Sequence, residues 1–379
     1  MSPKNISKRS QDASDIVVLR GLEPVWQNPA RYIGDTNIRG LHHLFTEIVD
    51  NSIDEAMEGT CDRIDVILHE DNSITVKDNG RGIPIDIHPT EKIPAVTVVL
   101  TTLDSGGKMN RKAYEFSGGL HGVGCSVVNA LSEHLEVIVE RDGKMVYQEF
   151  VRGKPKAKLK NLKSSKNHGT TIRFRPDNKF FRNLQFKSSI LMARLNELAY
   201  LHPGLKLTFL DEGSGEKSEY MYPDGISGFV KEITPDPIHP DPIYFEGDIT
   251  GEEESHRIVY QISFQYNDTI QERVRSYVNS IYTVDGGMHE AGFKSALTAC
   301  LKDIANKAKI KDEFEGEHLR EGLSAVISVK VPHAQFEAQT KTKLTNHWIK
   351  PVLQKELTKP QQKDLQLHVH RRAAIHGAL

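Results

Sequence analysis

The sequence has few cysteines, no long apolar run and almost no excess of charge of either sign. Its three cysteines lie far apart and form no CxxC pair, which argues against a disulfide framework and favours a reducing cytoplasm. Nowhere do about 18 apolar residues run together, so we expect no membrane-spanning helix. The N-terminus is basic and polar and lacks an apolar core, so we expect no export signal either.

The formal net charge of −2 excludes a global attraction to nucleic acid or to an anionic membrane. Any contact with DNA must therefore be local or belong to a partner. With 379 residues, of which 38% are hydrophobic and 26% charged, the chain is long enough for two globular domains, each with its own core.

Residues 40–59 have the apolar spacing of a helix with one buried stripe. On the other face, His43, Glu47 and Asn51 are spaced i, i+4, i+8, with further acids alongside and no Lys or Arg. Such a ridge is either a solvent-exposed acidic face or a site for a metal ion and an attacking water. An Asn oxygen suits Mg²⁺, and a carboxylate one turn away could take a proton from a water.

The hydrophobic pattern elsewhere predicts an α+β chain of two domains. Alternation predicts strands at 63–69, 73–77, 135–140, 145–150, 170–174, 205–210, 257–266, 272–282 and 323–331. Helical spacing predicts helices at 94–103, 127–131, 188–200, 287–308 and 345–357. We expect a flexible arm over residues 1–14, a first domain over 15–230 and a second over 231–379, because a proline-rich run follows residue 233. The lysine-rich segment 154–166 is expected to be a solvated loop, and Asp142–Gly143 predicts a hairpin turn.

Three glycine-rich segments have the character of ligand-binding loops. Asp78–Gly82 follows a predicted strand, where a carboxylate could receive an adenine amino group, although an ordinary turn has the same pattern. Ser117–Gly124 would expose successive backbone N–H groups to phosphates, and Asp104–Lys108 adds a second flexible, cationic segment. A flexible linker is the alternative, but linkers rarely hold Leu, His and Val between their glycines. A Walker A loop is absent.

Together these segments resemble the nucleotide-binding boxes of the GHKL ATPases, the superfamily of gyrase, Hsp90, MutL and the histidine kinases. More closely, the chain is similar to the ATPase region of bacterial type II topoisomerase B subunits, gyrase B or ParE, in the runs GLHHLFTEIVDNSIDEA, DNGRGIP, SGGLHGVG, SVVNALS, REGLSAVISVKVP and QTKTKL. The resemblance extends from about Ile16 to beyond Lys343. It implies a GHKL (Bergerat) ATPase α/β sandwich followed by a transducer domain like domain 2 of ribosomal protein S5.

The resemblance also implies roles for individual residues. Glu47 matches the general base, His43 its orienting neighbour, and Asn51 the Mg²⁺ ligand. Gln339 and Lys341 match the γ-phosphate sensor loop of the second domain. The residues matched to nucleotide binding are Asn51, Glu55, Asp78, Arg81, Gly82, Ile83, Pro84, Gly106, Lys108, Tyr114, Gly119, Leu120, His121, Gly122, Val123, Gly124, Cys125 and Thr170.

A type II topoisomerase resemblance implies ATP and Mg²⁺ as cofactors and an ATP-operated clamp as the function. ATP would dimerise two chains around a DNA segment, and hydrolysis would reopen them. The implied partners are a second copy of the chain, the A-type subunit (gyrase A or ParC) in an A₂B₂ complex, and double-stranded DNA, with no membrane. The acidic metal cluster of the DNA-cleavage domain is not found, so we expect an ATPase fragment of a longer subunit.

The chain departs from the family pattern at three places, and it leaves three competing functions open. It reads Asn28–Arg31 where relatives have Arg-Pro-Gly-Met, Gln11 where they have an arm tyrosine, and Val284 where they often have an arginine facing DNA. A MutL-like repair clamp shares the boxes and the second domain. The two remaining functions are those of a histidine kinase catalytic domain and of a non-catalytic nucleotide-binding module.

Overall fold

The computed structural model describes residues 15–109, 114–119, 122–251, 253, 256–307, 309 and 314–358. The helices in these ranges are α1 (Glu23–Gln27), α2 (Ala30–Ile33), α3 (Ile38–Met57), α4 (Ala95–Thr101), α5 (Gly124–Ala130), α6 (Asn178–Phe181), α7 (Ser188–Leu201), α8 (Gly225–Ile233), α9 (Met288–Lys307) and α10 (Ile349–Leu357). The strands are β1 (Arg63–Leu68), β2 (Ile74–Asp78), β3 (Ser132–Arg141), β4 (Lys144–Val151), β5 (Lys154–Pro155), β6 (Lys160–Ser164), β7 (Gly169–Pro176), β8 (Lys206–Asp211), β9 (Lys217–Tyr220), β10 (Ile243–Thr250), β11 (Arg257–Tyr266), β12 (Arg273–Val278), β13 (Ile281–Tyr282) and β14 (Leu323–Lys330).

The first unit is a nine-stranded sheet that shares one hydrophobic core with its helices. The strand order is β5-β4-β3-β7-β2-β1-β8-β9, with β6 also paired to β4. Among the described strands of this sheet, β1 and β8 alone pair in parallel, and the long connection between them contains most of the other strands. Helices α3, α5 and α7 pack on the sheet, which leaves the polar face of α3 beside the end of β2.

Helix α3 has the apolar stripe that the sequence predicts, and it begins two residues earlier. Leu41, Leu44, Phe45 and Val49 are each at most 1% exposed. Complete burial of such a side chain contributes about 1.5–3 kcal/mol, so this stripe holds the helix firmly against the sheet. The orientation of the stripe forces the opposite ridge toward the cavity described below.

The second unit is a sheet whose five described strands have the order β10-β11-β14-β12-β13, with β12 and β14 parallel and the other pairs antiparallel. Helices α9 and α10 pack on each other and close a second hydrophobic core. A smaller cluster joins the two units, with Tyr200 and Phe229 packed near Tyr277 and Val326. Helix α8 crosses the predicted boundary near residue 230 and belongs to this cluster, and the boundary itself stays a prediction.

The prediction of a single strand over residues 272–282 is wrong, because these residues form a hairpin. Strands β12 and β13 are joined by a two-residue turn of Asn279 and Ser280, whose φ angles are 48° and 66°. Turns of this kind need positive φ at both central residues, and the sequence Asn-Ser is a weaker signal than Asn-Gly. The Asp142–Gly143 turn between β3 and β4, which has the stronger signal, is confirmed.

The prediction of a solvated loop over residues 154–166 is also wrong in part, since β5 and β6, which lie in this segment, both pair with β4. Every residue of the two strands is exposed, so no buried face imposes an apolar alternation that reveals them. The short strand β9 and strand β10 were likewise not predicted. The last helix begins at Ile349 rather than 345, and α5 begins at Gly124 rather than 127.

The predicted N-terminal arm and Gln11 lie outside the described residues. Val284, just before Asp285 and the glycine pair, is 60% exposed. Within the ranges that the structure describes, no helix combines the length and apolar character needed to cross a membrane.

Candidate active site

A cavity of about 260 Å³ opens between the polar face of α3, the end of β2 and the two glycine-rich segments. The predicted base and most of the residues predicted to bind a nucleotide line it. These are Glu47, Asn51, Glu55, Asp78, Arg81, Gly82, Ile83, Pro84, Gly106, Lys108, Tyr114, Gly119, Gly122, Val123, Gly124, Cys125 and Thr170. Segments separated by more than 100 residues in sequence therefore share one cavity.

The floor of the cavity is built around Asp78, the last residue of β2. Its carboxylate accepts hydrogen bonds from Ser52 Oγ (2.8 Å), Gly80 N (2.9 Å) and Thr170 N (3.2 Å). Thr170 Oγ1 accepts one from Ile83 N at 3.2 Å. Burial raises the pKa of Asp78, and the hydrogen bonds oppose that rise. The carboxylate is thus held rigidly where an amino group of a flat ligand can reach it.

Glu55, Arg81 and Tyr114 form a connected group at the cavity mouth. Arg81 donates from Nε to Glu55 Oε2 and from Nη2 to Glu55 Oε1, both at 2.9 Å. The Tyr114 hydroxyl donates to the same carboxylate, and the guanidinium lies 4.6 Å from the ring centroid. Although burial raises the pKa of Glu55, these contacts lower it to about 2. The mouth therefore has a permanently charged, planar lining.

Glu47 lies deeper, where α3 meets the start of α5. Its Oε1 is 3.1 Å from His43 Nε2 and 4.0 Å from Lys341 Nζ. Burial alone would raise the pKa of Glu47, but Lys341, His43 and Lys108 outweigh burial and lower it to about 2. Lys341 is only 6% exposed. A lysine of the second unit therefore reaches the acidic ridge of the first.

A cation already lies beside Asn51. Lys108 Nζ donates to Asn51 Oδ1 at 2.5 Å and pairs with Asp54, which is 1% exposed. Asn51 Nδ2 donates to Glu47 O at 2.7 Å and to Cys125 Sγ at 3.3 Å, so the amide oxygen must face the cation. This arrangement fits Mg²⁺, which takes a single protein oxygen together with waters and substrate phosphates.

Gly124 permits the close approach of Glu47 to α5. A Cβ at this position would lie 2.1 Å from Glu47 Oε2, far inside van der Waals contact. At Gly122, φ is 61° and a Cβ would meet Ser105 O at 2.6 Å. Ser105 N also donates to Gly122 O at 3.1 Å, so the two glycine-rich segments touch only because Gly122 lacks a side chain.

Some predicted site residues lie elsewhere. His43 and Lys341 contact Glu47 but do not line the cavity, and Gln339 is half-buried two residues before Lys341 without lining it. Leu120 and His121 lie outside the described residues.

The structure also adds residues that the sequence did not assign. Asp54 accepts from Ser117 Oγ (3.0 Å) and Gly118 N (2.8 Å) as well as pairing with Lys108. Its position on the same ridge, seven residues after Glu47, is the sequence feature from which a role in the site could have been predicted. Arg194 of α7 pairs with Asp50 of α3 at 3.0 Å, and no local pattern could have revealed that contact.

The arrangement suits phosphoryl transfer to water. An ionised carboxylate, that of Glu47, lines the cavity together with the amide oxygen of Asn51. Lys108 contacts the amide oxygen, and Lys341 lies 4.0 Å from the carboxylate. Such reactions need positioning and charge stabilisation more than covalent chemistry. Among the described residues, no group of three or more His, Cys, Asp or Glu is placed to hold a metal ion.

Two family models match the chain. The model for the histidine kinase-, DNA gyrase B- and HSP90-like ATPase matches residues 36–179, and the model for DNA gyrase B matches residues 225–377. The first range contains α3, β2 and α5, which enclose the cavity. The second contains Lys341.

Two curated proteins illustrate the similarity. The DNA gyrase B protein of Thermotoga maritima is 48% identical over 354 residues, and that of Halalkalibacterium halodurans is 49% identical over 347. The matches cover 91% and 89% of this chain and 55% and 54% of the relatives. The chain thus spans about half the length of these relatives.

Two solved structures cover the chain almost completely. The 43K ATPase domain of Thermus thermophilus gyrase B, in complex with an aminocoumarin, matches with a TM-score of 0.75 and 37% identity, over 94% of each chain. The ATP-binding domain of Francisella tularensis topoisomerase IV, in complex with a small-molecule inhibitor, matches with a TM-score of 0.73 and 32% identity, over 95% of this chain and 98% of that one.

Proposed function

Because the chain belongs to the family of DNA gyrase B ATPase regions, we propose that it binds ATP with Mg²⁺ and hydrolyses the nucleotide. The observation that carries the proposal is the approach of Lys341, from the second unit, to within 4.0 Å of the buried carboxylate of Glu47. A base at the edge of the cavity with a lysine directly beside it supplies two of the groups that an attack of water on a γ-phosphate requires.

In this proposal the adenine lies on the cavity floor. Asp78 accepts the adenine amino group, and Thr170 holds the loop at Ile83 beside the ring. Arg81 and Tyr114, fixed by Glu55, border the mouth. Arg141 donates from Nη1 to Gly82 O at 2.7 Å and so supports the loop from outside. The rigid carboxylate favours a ligand that donates rather than accepts a hydrogen bond.

The phosphates lie toward α5 in the proposal. Lys108 and the backbone of Gly119 and Gly122–Cys125 face them, and Asn51 would hold Mg²⁺ in place of the Lys108 ammonium. The metal, when bound, would neutralise phosphate charge. Lys108 then leaves Asn51 for the phosphates, since one oxygen cannot serve two cations equally.

Glu47 acts as the general base on the attacking water, with His43 holding the carboxylate. A carboxylate with a pKa of about 2 is a weak base. When Lys341 turns to the γ-phosphate, it withdraws positive charge from Glu47, and the pKa of Glu47 rises toward the range useful in catalysis. Gln339, two residues earlier on the same loop, would contact the γ-phosphate together with Lys341.

At the level of the whole protein, we propose an ATP-operated clamp of a cytoplasmic type II topoisomerase. Two chains dimerise on ATP and capture double-stranded DNA, and the A-type subunit completes an A₂B₂ complex. The match of the DNA gyrase B model to the second unit supports this function over that of a histidine kinase catalytic domain. The exposed Val284 predicts weak DNA contact by this part of the subunit.

Turnover of Mg-ATP as a function of protein concentration tests the proposal. A rate per chain that rises with concentration supports hydrolysis by a dimer, and an absence of turnover contradicts the proposal. Glu47→Gln should lower turnover by about a hundredfold or more while nucleotide binding persists. Glu70→Gln, at an exposed position on the β1–β2 turn, is the matched control and should turn over like the wild type.

A further inference from the structure

The turn between β12 and β13 inserts Asn279 and Ser280 between the two units, where both are buried at 2% and 5% exposure. Both have φ in the left-handed region, which glycine favours. A type I′ turn built only for the hairpin would carry Gly at the second position. The presence of Ser280 with a φ of 66° therefore indicates that its side chain has a role outside the hairpin.

Ser280 anchors the turn to the first unit. His202 Nε2 lies 2.7 Å from Ser280 Oγ, and Arg194 Nη2 donates to Ser280 O at 3.0 Å. The same Arg194 nitrogen pairs with Asp50, three residues after Glu47 on α3. The turn is thus fastened directly behind the acidic ridge.

Asn279 joins two segments that both lead into the cavity. Its Nδ2 donates to Ser117 O at 2.8 Å and to Val331 O at 3.0 Å, and its Oδ1 accepts from Val331 N at 2.8 Å. Ser117 belongs to the strap, residues 114–119, whose Ser117 and Gly118 hold Asp54 beside Lys108. Val331 follows β14 and begins the segment that carries Lys341.

We propose that Asn279 is a positioning residue that keeps the strap and the beginning of the Lys341 segment in register. Through the strap, Asn279 orders the part of the cavity where Asp54 pairs with Lys108. Through Val331, it orders the segment that carries Lys341 to Glu47. Both donors of its side-chain amide and the amide oxygen are engaged in these three bonds. The second unit therefore holds both sides of the site through one turn, in addition to the Lys341 contact itself.

Hydrogen exchange of the strap amides in the nucleotide-free protein tests this inference directly. Asn279→Gly removes the side chain and keeps a residue that tolerates positive φ. We expect faster exchange over residues 114–119 than in the wild type. Arg275→Ala is the matched control, because it breaks an ion pair with Glu197 (2.9 Å) across the same interface without touching the strap. It should leave strap exchange unchanged.

The kinetic part of the test rests on the proposed ATPase function. In Asn279→Gly the strap is loosened, so nucleotide binding must supply the free energy that orders it. The KM for Mg-ATP should therefore rise by about three- to tenfold, as expected for one lost hydrogen bond, while kcat changes much less. A protein that does not hydrolyse ATP refutes the proposed function, yet the exchange measurement still decides the role of Asn279.

Asn279→Asp keeps the test decisive if Asn279→Gly does not fold. An ionised aspartate tolerates positive φ and can still accept from Val331 N, but it cannot donate to Ser117 O or Val331 O. Faster strap exchange in this variant, with unchanged exchange in Arg275→Ala, supports the inference. Strap exchange equal to the wild type in Asn279→Asp and in any Asn279→Gly protein that folds overturns it.

Discussion

The contact between Lys341 and Glu47 predicts a measurable coupling between the two units. At 4.0 Å and an effective dielectric constant of about 20, the attraction of two unit charges is about 4 kcal/mol. Desolvation of both groups offsets much of it. The fall in the pKa of Glu47 from 4.5 to about 2 corresponds to about 3 kcal/mol, which Lys341 shares with His43 and Lys108.

We therefore expect a coupling of about 1–2 kcal/mol in a double-mutant cycle of Lys341→Met and Glu47→Gln at pH 7. Urea unfolding measures it, and the two tryptophans report the two units separately, because Trp26 lies in the first and Trp348 in the second. A coupling below about 0.3 kcal/mol, the usual limit of additivity, would refute the ion pair.

The pH dependence of the cycle has a definite sign. The pKa of Glu47 is lowered in the folded state, so its contribution to stability is present above pH 4.5 and lost as the pH falls toward about 2. Lys341→Met should therefore destabilise the protein more at pH 6 than at pH 3. In the Glu47→Gln background this difference should vanish, since no carboxylate remains to titrate.

Three further substitutions give distinct outcomes. Asp78→Asn places an amide against three hydrogen-bond donors. ATP affinity, measured by calorimetry, should therefore fall at least about tenfold, and the free energy of unfolding should fall by about 1–3 kcal/mol. Unchanged affinity contradicts the adenine assignment. Gly124→Ala forces Glu47 away from α5, so turnover should fall by about a hundredfold, the cost of misplacing a catalytic group; wild-type turnover contradicts the placement of Glu47. Glu55→Gln loses the charge that orders Arg81, so KM for ATP should rise by about threefold to tenfold, and an unaltered KM argues against a role for the mouth.

Much of the fold could be predicted from the sequence. The GHKL ATPase fold with a following transducer domain, implied by the resemblance, is confirmed by the family models and solved structures. The apolar stripe of α3 could be predicted from the spacing of its apolar residues, and the Asp142–Gly143 turn from the backbone preference of these two residues. Strands β5 and β6 escaped prediction because their side chains face solvent on both sides, so burial leaves no pattern in the sequence.

By itself, the sequence determined which residues could share the α3 ridge and which loops could admit a ligand, because helical periodicity and glycine act within a few residues. Only the tertiary structure decided that Lys341 is buried against Glu47, that Asp54 holds the strap, and that Asn279 bridges the units. These contacts join segments more than 60 residues apart. Their formation depends on how two separate hydrophobic cores pack together, and a solvated lysine and a buried one look alike in sequence.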